Sequence, residues 1–92
     1  MAIAILAEVP GRDAQFDDQM MQRMNLAANP ATGALVRVAG PVEGGWRISS
    51  VWEFQEAWDK FRTERLEPAL REVGQALPQF QVWPLHAVQI NR

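Results

Sequence analysis

The chain contains no cysteine and only one histidine, His86. The lack of cysteine excludes disulfides and thiolate metal sites, and a single histidine excludes a multi-histidine metal site within one chain. Nine basic residues are dispersed among eleven acidic ones, so the chain has no basic stripe of the kind that binds nucleic acid. The sequence therefore predicts no metal and no nucleic-acid partner.

Long apolar runs are also absent. No segment approaches the ~18–20 apolar residues that a membrane span needs. The apolar opening, residues 1–7, lacks the positively charged leader of a secretory signal. With the absence of cysteine, these features predict a cytoplasmic protein that does not bind membranes. A chain of 92 residues, 48% of them hydrophobic, predicts one folded domain over residues 1–92.

Apolar periodicity divides the chain into six elements in the order strand, helix, strand, strand, helix, strand. The pattern predicts strands over 2–9, 34–39, 46–52 and 80–88, a first helix from its cap at Asp13 to Pro30, and a second helix over 54–73. The glycine-rich segment 40–45 predicts a hairpin turn. Pro68 either kinks the second helix or opens a short additional one, and Gly74 is a predicted C-cap.

The first helix has an apolar face formed by Phe16, Met20 and Met24, which recur at steps of four residues. Asp17 is assigned to the opposite, polar face. The methionines are expected to fill the gap between the helix and the sheet, where their flexible side chains would also form an adaptable pocket wall.

The order of elements predicts a ferredoxin-like α+β fold with a four-stranded antiparallel sheet. Two helices can cover only one face of such a sheet, and the other face should be polar in a monomer. The first and last predicted strands instead carry apolar residues on both faces. Because one apolar patch can serve both copies across a two-fold axis, the sequence predicts a homodimer in which two sheets pack face to face.

Three segments carry a resemblance to a known family: Trp-Arg-Ile-Ser-Ser-Val-Trp-Glu at 46–53, Ala-Trp-Asp-Lys-Phe at 57–61 and Arg-Leu-Glu-Pro-Ala-Leu at 65–70. They resemble the dimeric α+β barrel superfamily, and within it the antibiotic-biosynthesis-monooxygenase-like proteins and their small bacterial relatives. The resemblance implies a dimeric α/β barrel. It also implies a small aromatic or polyketide-like ligand, since the family includes cofactor-free oxygenases of aromatic polyketides. Haem-degrading relatives bind haem through a histidine on a helix, whereas His86 falls on a predicted strand, so no cofactor is expected.

Five residues are candidates for the site. His86 is the predicted catalytic residue, because histidine gives and takes protons near neutral pH; a structural histidine in the core or interface is the alternative. Trp52 and Trp58 would stack on an aromatic substrate, although aromatics at this spacing also build cores. Ser50 shares a strand face with Trp52. Arg37 would anchor an anionic group, or else pair with Glu53 or Glu8, or face solvent.

Two functions fit these residues. The first is a cofactor-independent monooxygenase, in which His86 assists deprotonation of an electron-rich aromatic substrate that then reacts with oxygen directly. The second is a non-catalytic dimeric stress or ligand-binding protein that uses the same cavity. A third and weaker reading is an accessory domain of a larger enzyme. The fold alone does not choose among them.

Overall fold

The computed structural model describes residues 1–91. Its elements are β1 (Ile3–Pro10), α1 (Ala14–Met24), β2 (Ala34–Val42), β3 (Gly45–Trp52), α2 (Gln55–Phe61), a π-helical turn (Arg62–Leu66), α3 (Glu67–Glu72) and β4 (Gln81–Pro84). The strands form one antiparallel sheet in the order β2-β3-β1-β4. This arrangement confirms the predicted ferredoxin-like α+β fold.

The first helix begins where the sequence predicts and ends earlier. Asp13 caps it, because its carboxylate accepts a hydrogen bond from the Phe16 amide at 2.9 Å. The helix ends at Met24, because Asn25 adopts a left-handed conformation with φ 55°. Asparagine tolerates that conformation better than most residues. The prediction that the helix continues to Asn29-Pro30 is therefore wrong by one turn.

The hairpin between β2 and β3 is tighter than predicted. Strand β2 extends through Pro41 to Val42, so only Glu43 and Gly44 remain as the turn. Gly44 has φ +77°, a conformation open to glycine. A Cβ at Gly45 would lie 2.5 Å from the Val9 carbonyl oxygen, which explains why the next position is also glycine.

The second helical segment runs continuously from Gln55 to Glu72 and contains a π turn in its middle. The Glu67 amide bonds to the Arg62 carbonyl, five residues back. Pro68 follows at once and lies in the first turn of α3, where a missing N–H is tolerated. Of the two predicted positions, Pro68 therefore takes the first turn of a short helix, α3, which continues from the π turn without a break. Gly74 ends α3 with φ +74°, as predicted, and the Gln75 amide bonds to the Leu70 carbonyl at 2.9 Å.

The last strand is shorter than predicted. Strand β4 pairs with β1 only from Gln81 to Pro84, at an edge of the sheet. Proline has no N–H to continue the ladder, and one further bond, from the Leu85 amide to the Ala2 carbonyl at 2.8 Å, closes the segment. The alternation predicted up to Val88 therefore stops at Pro84.

The helices cover one face of the sheet, which we call the inner face. Cross-strand register puts Ile3, Ile5, Ser50 and Trp52 on it. The opposite face, which we call the outer face, carries Leu6, Val38, Ser49, Val51 and Trp83. Two clusters form the core: Ile3, Ile5, Trp52, Ala57 and Trp58 against the sheet, and Met20, Met24, Ala69 and Leu70 between the helices. None of the helices in 1–91 has the length and apolar character needed to cross a membrane.

Candidate functional site

A cavity of about 270 Å³ lies between the inner face and the helices. Strands β1, β2 and β3 form its floor, and α1, α2 and the π turn form its roof. This volume is near the lower end of the ~300–1,000 Å³ range of small-molecule sites. Its lining is mostly apolar and comprises chiefly Ile5, Phe16, Met20, Met21, Met24, Ile48, Trp52, Trp58, Phe61, Leu66 and Phe80, with polar groups from Arg12, Asp17, Arg37 and Ser50.

Aromatic rings form one end of the cavity. The ring of Trp52 lies 5.6 Å from that of Trp58, nearly edge to face, and 5.2 Å from that of Phe61. Trp58 in turn contacts Phe80 at 5.0 Å. Only 3% of Trp52 and 4% of Trp58 are exposed to solvent. The two tryptophans therefore belong to the core and also form a wall of the cavity. The two interpretations of the sequence, core packing and a ligand-facing wall, thus apply to the same side chains.

Ser50 is the uncharged polar side chain on the cavity floor. Its hydroxyl oxygen accepts a hydrogen bond from the Trp52 indole N–H at 3.0 Å. Since a hydroxyl also carries one proton to donate, the bond to Trp52 leaves that proton available to a ligand. Ser50 pairs with Arg37 on β2 and with Ile5 on β1, so these three residues form one row across the sheet.

Arg37 reaches a partner that the sequence did not predict. Its guanidinium donates two hydrogen bonds to the carboxylate of Asp17, one of them at 3.2 Å and the other shorter. The predicted partners were Glu53 and Glu8, but Glu8 lies on the outer face and pairs with Arg47 at 3.4 Å. Because Arg37 lies on the inner face opposite α1, a carboxylate on that helix meets it first.

Asp17 corrects the predicted helix face. Only 8% of it is exposed, although the sequence assignment placed it on the polar side of α1. Asp17, Met20 and Met24 follow one another at steps of three and four residues, so all three lie on the same side of a helix. The fork-shaped guanidinium of Arg37 compensates the buried charge through two parallel hydrogen bonds.

Arg12 adds a second cation beside Asp17 and Arg37. It lies in the loop between β1 and α1, and its guanidinium carbon is 4.5 Å from the centroid of the Phe16 ring. Burial lowers the pKa of Arg12, because desolvation disfavours the charged form, while the negative charge of Asp17 acts in the opposite direction.

The π turn is tied to the loop that follows α1. Arg65 donates to the carbonyl oxygens of Asn29, at 2.6 Å, and Met24. These bonds satisfy carbonyls left free where α1 ends. They also tie the loop after α1 to the π turn, whose last residue, Leu66, lines the cavity.

His86 does not lie where the sequence predicts. It is exposed and lies in a bend after β4, because Pro84 has ended the strand two residues earlier. It is not among the residues that line the cavity. The structure therefore brings together Trp52, Trp58, Ser50 and Arg37 of the five candidates and leaves His86 outside.

Metal sites in proteins are typically built from three or four side-chain ligands that lie close together. Across residues 1–91, no three or more histidine, cysteine, aspartate or glutamate residues are grouped closely enough to hold a metal ion.

Comparison with known proteins yields matches among solved structures alone. No protein-family model matches the chain, and no curated protein matches it. Protein Rv0793 from Mycobacterium tuberculosis is 14% identical, with a TM-score of 0.71, covering 97% of this chain and 100% of that one. A variant of SnoaB, a cofactor-independent oxygenase from Streptomyces nogalater, is 12% identical, with a TM-score of 0.61 and coverage of 95% and 93%.

A third solved structure, from Caulobacter crescentus, is described as a candidate antibiotic biosynthesis monooxygenase. It is 18% identical, with a TM-score of 0.65, covering 96% of this chain and 91% of that one. The chain has the fold of the antibiotic-biosynthesis-monooxygenase-like proteins. This confirms the α+β fold of the single chain that the tryptophan-rich segments imply. At these identities the similarity establishes the fold and leaves the chemistry to the site.

Sequence reasoning missed Arg12 and Asp17 as site residues. A signal for Asp17 was present, since its spacing to Met20 and Met24 puts a charge in phase with the apolar face of a helix. A buried carboxylate needs a partner, and Arg37 on an apolar strand is a suitable one. Arg12 carries no comparable signal, because its position over Phe16 depends on the path of the loop.

Proposed function

We propose that the cavity binds a small aromatic molecule, and that the protein catalyses its oxygenation without a cofactor. The apolar, aromatic-walled cavity beneath the helices is the observation that carries this proposal. Flat apolar ligands stack favourably on rings such as Trp52 and Trp58. The match to the fold of a cofactor-independent oxygenase supports the choice of reaction.

The proposed chemistry needs only substrate and oxygen. An electron-rich substrate with an acidic CH₂ between aromatic rings loses a proton and passes electrons to O₂. The CH₂ becomes a C=O group, which retains one oxygen atom, and the other oxygen atom leaves as water with the two hydrogens. The protein supplies a dry cavity and a fixed orientation. His86 stays the predicted proton-transfer residue, although in one chain it lies outside the cavity.

A second candidate function is ligand binding without turnover, as in a stress or carrier protein. One observation favours it: among residues 1–91, Asp17 is the only residue with a carboxylate that lines the cavity, and Arg37 holds it in two hydrogen bonds. Both oxygens of this carboxylate are therefore engaged by Arg37 and do not face a substrate freely. The binding cavity is common to both candidates, and only turnover separates them.

Binding is tested with 2-naphthamide as a neutral aromatic probe, using isothermal titration calorimetry. Ala34 lines the cavity from the exposed start of β2, so Ala34→Phe should narrow the cavity and weaken binding. Ala28→Phe is the matched control, because Ala28 is exposed in the turn after α1 and does not line the cavity. Equal affinity of both variants would locate binding elsewhere.

Turnover is tested with anthrone under ¹⁸O₂ by mass spectrometry. The oxygenase proposal expects anthraquinone with one labelled oxygen, formed faster than in buffer alone, and expects His86→Ala to slow the reaction. Binding of aromatic probes with no acceleration would favour the carrier. Acceleration that His86→Ala leaves unchanged would remove His86 from the mechanism.

We also propose that the chain forms a homodimer through the outer face. Val38 is 60% exposed and Trp83 is 40% exposed there, beside Leu6 and Val51. An apolar face of this kind is an association surface. Val38→Asp should give a monomer in light scattering, while Gln15→Asp, on an exposed position of α1, should not. A wild-type monomer at micromolar concentration would rule the dimer out.

The absence of cysteine supports the cytoplasm as the proposed compartment.

A further inference from the structure

The charged side chains that line one part of the cavity include more cations than anions. Arg12, Asp17 and Arg37 supply two guanidinium groups and one carboxylate. They belong to three separate parts of the chain, the loop before α1, the helix itself and β2. Their formal charges leave this part of the cavity with one positive charge in excess.

The carboxylate is already matched. Asp17 accepts two hydrogen bonds from Arg37, in the paired geometry that suits guanidinium and carboxylate best. The side chain of Asp17 is 10% exposed and that of Arg37 is 32% exposed, so solvent does little to screen the pair on its buried side. This pair is internally neutral and leaves Arg12 as the surplus cation.

Arg12 stacks on Phe16 and is partly desolvated by burial. Among residues 1–91 its guanidinium forms no ion pair within 4.0 Å. A guanidinium carries five N–H donors, and a desolvated donor without an acceptor is unfavourable. The ring of Phe16 compensates the face of the guanidinium, but its edge, where the N–H groups point, is left for another acceptor.

We propose that Arg12 binds the carboxylate of an aromatic acid whose ring system occupies the cavity. This inference rests on the proposed function, since it assumes that the cavity takes an aromatic ligand. A single free guanidinium beside apolar walls matches a monoanion, and its fork of N–H donors matches a carboxylate. The inference names the ligand class as aromatic monocarboxylates and Arg12 as the residue that selects them.

Three probes with one ring system test the proposal by calorimetry at neutral pH: 2-naphthoate, its neutral analogue 2-naphthamide, and the cation 2-naphthylmethylammonium. The wild type should bind the carboxylate at least about tenfold more tightly than the amide, which corresponds to about 1.4 kcal/mol. The cation should bind most weakly. Because the interaction is electrostatic, the preference should shrink with added salt.

Variants assign the preference to Arg12. Arg12→Gln should bring the carboxylate and amide affinities to within about twofold of each other. Arg12→Lys should give an intermediate preference, because it retains the positive charge but loses the fork of N–H donors. Arg71→Gln is the matched control, since Arg71 is exposed on α3 and, within residues 1–91, forms an ion pair with Glu67 alone. Melting temperatures measured alongside show whether each variant is folded. If Arg12→Gln does not fold, Arg12→Lys still tests the role of Arg12.

The outcomes separate this inference from the function on which it rests. Binding of the amide without preference for the carboxylate would overturn the role of Arg12 and leave the aromatic cavity standing. A preference that survives Arg12→Gln would do the same. Failure of all three probes to bind would overturn both proposals together.

Discussion

The ion pair between Asp17 and Arg37 should stabilise the fold measurably, unlike most surface pairs. The perturbation is a double-mutant cycle with Asp17→Asn, Arg37→Met and the double variant. Asparagine keeps the shape of Asp17, and methionine covers the same apolar surface as the stem of Arg37. The two replacements form no strong hydrogen bond with each other, and the amide oxygen of the asparagine still accepts from Arg37, so the cycle measures what the charge of the carboxylate adds to that bond.

The expected magnitude follows from burial. Exposed ion pairs contribute about 0–1 kcal/mol, while removing one partner of a fully buried pair costs about 3–5 kcal/mol. Asp17 is 8% exposed, but the Arg37 side chain is about a third exposed, so the pair lies between these limits. We expect a coupling energy of about 1–2 kcal/mol. Arg37→Met alone should lower the melting temperature by roughly 4–8 °C per kcal/mol lost.

Urea denaturation at one fixed protein concentration is the suitable assay. Urea leaves the ionic strength unchanged, whereas guanidinium chloride would screen the pair. A fixed concentration matters because the proposed dimer would make stability depend on it. The exposed pair of Glu67 and Arg71, 3.1 Å apart on α3, gives a matched control cycle with Glu67→Gln and Arg71→Met. That cycle should yield about 0.3–0.5 kcal/mol.

A coupling energy for Asp17 and Arg37 no larger than that of the control pair would refute the reasoning. It would mean that the two side chains exchange their mutual hydrogen bonds for hydrogen bonds to water with no loss of folding free energy. The argument that Arg12 is the surplus cation would then lose its basis, because Arg37 would be equally free to bind a ligand.

Two further predictions concern the backbone and the cavity floor. Gly45→Ala should destabilise the protein by about 1–3 kcal/mol, since the added Cβ would lie 2.5 Å from the Val9 carbonyl oxygen. In the same urea assay the control Gly40→Ala should be nearly neutral, because a Cβ at Gly40 meets nothing within 4 Å. Ser50→Ala should lower stability by about 1–3 kcal/mol by leaving the buried Trp52 N–H without an acceptor, with a shifted indole N–H resonance in NMR. Ser49→Ala, on the outer face, should shift no indole resonance; equal effects of the two serine variants would contradict the assigned bond.

Local signals in the sequence were sufficient for the element order. Asp13 as a cap, Gly74 as a helix end and the alternation of Trp46, Ile48, Ser50 and Trp52 are all confirmed, because each depends on residues within a few positions of one another. Boundaries were less reliable. The first helix ends early because Asn25 adopts a left-handed conformation, which asparagine permits but does not require.

The site was predictable in part, because some of its residues are close to one another in the sequence. Trp52 and Ser50 could be placed together because neighbours two apart on a strand share a face. His86 was misplaced because Pro84 stops β4, and whether a proline ends a strand or bends it depends on the pairing partner. Arg37 was assigned the wrong partner because strand sequence alone does not reveal which helix lies above it.

By itself, the sequence determined the ferredoxin-like order, the aromatic inner face and the methionines of the helix wall, since periodicity reports which side of an element is buried. Only the tertiary structure decided which charges meet. The bond between Asp17 and Arg37 joins residues twenty positions apart, and it leaves Arg12 over Phe16 as the unmatched cation. Such contacts depend on the relative placement of a loop, a helix and a strand, and no local pattern encodes that placement.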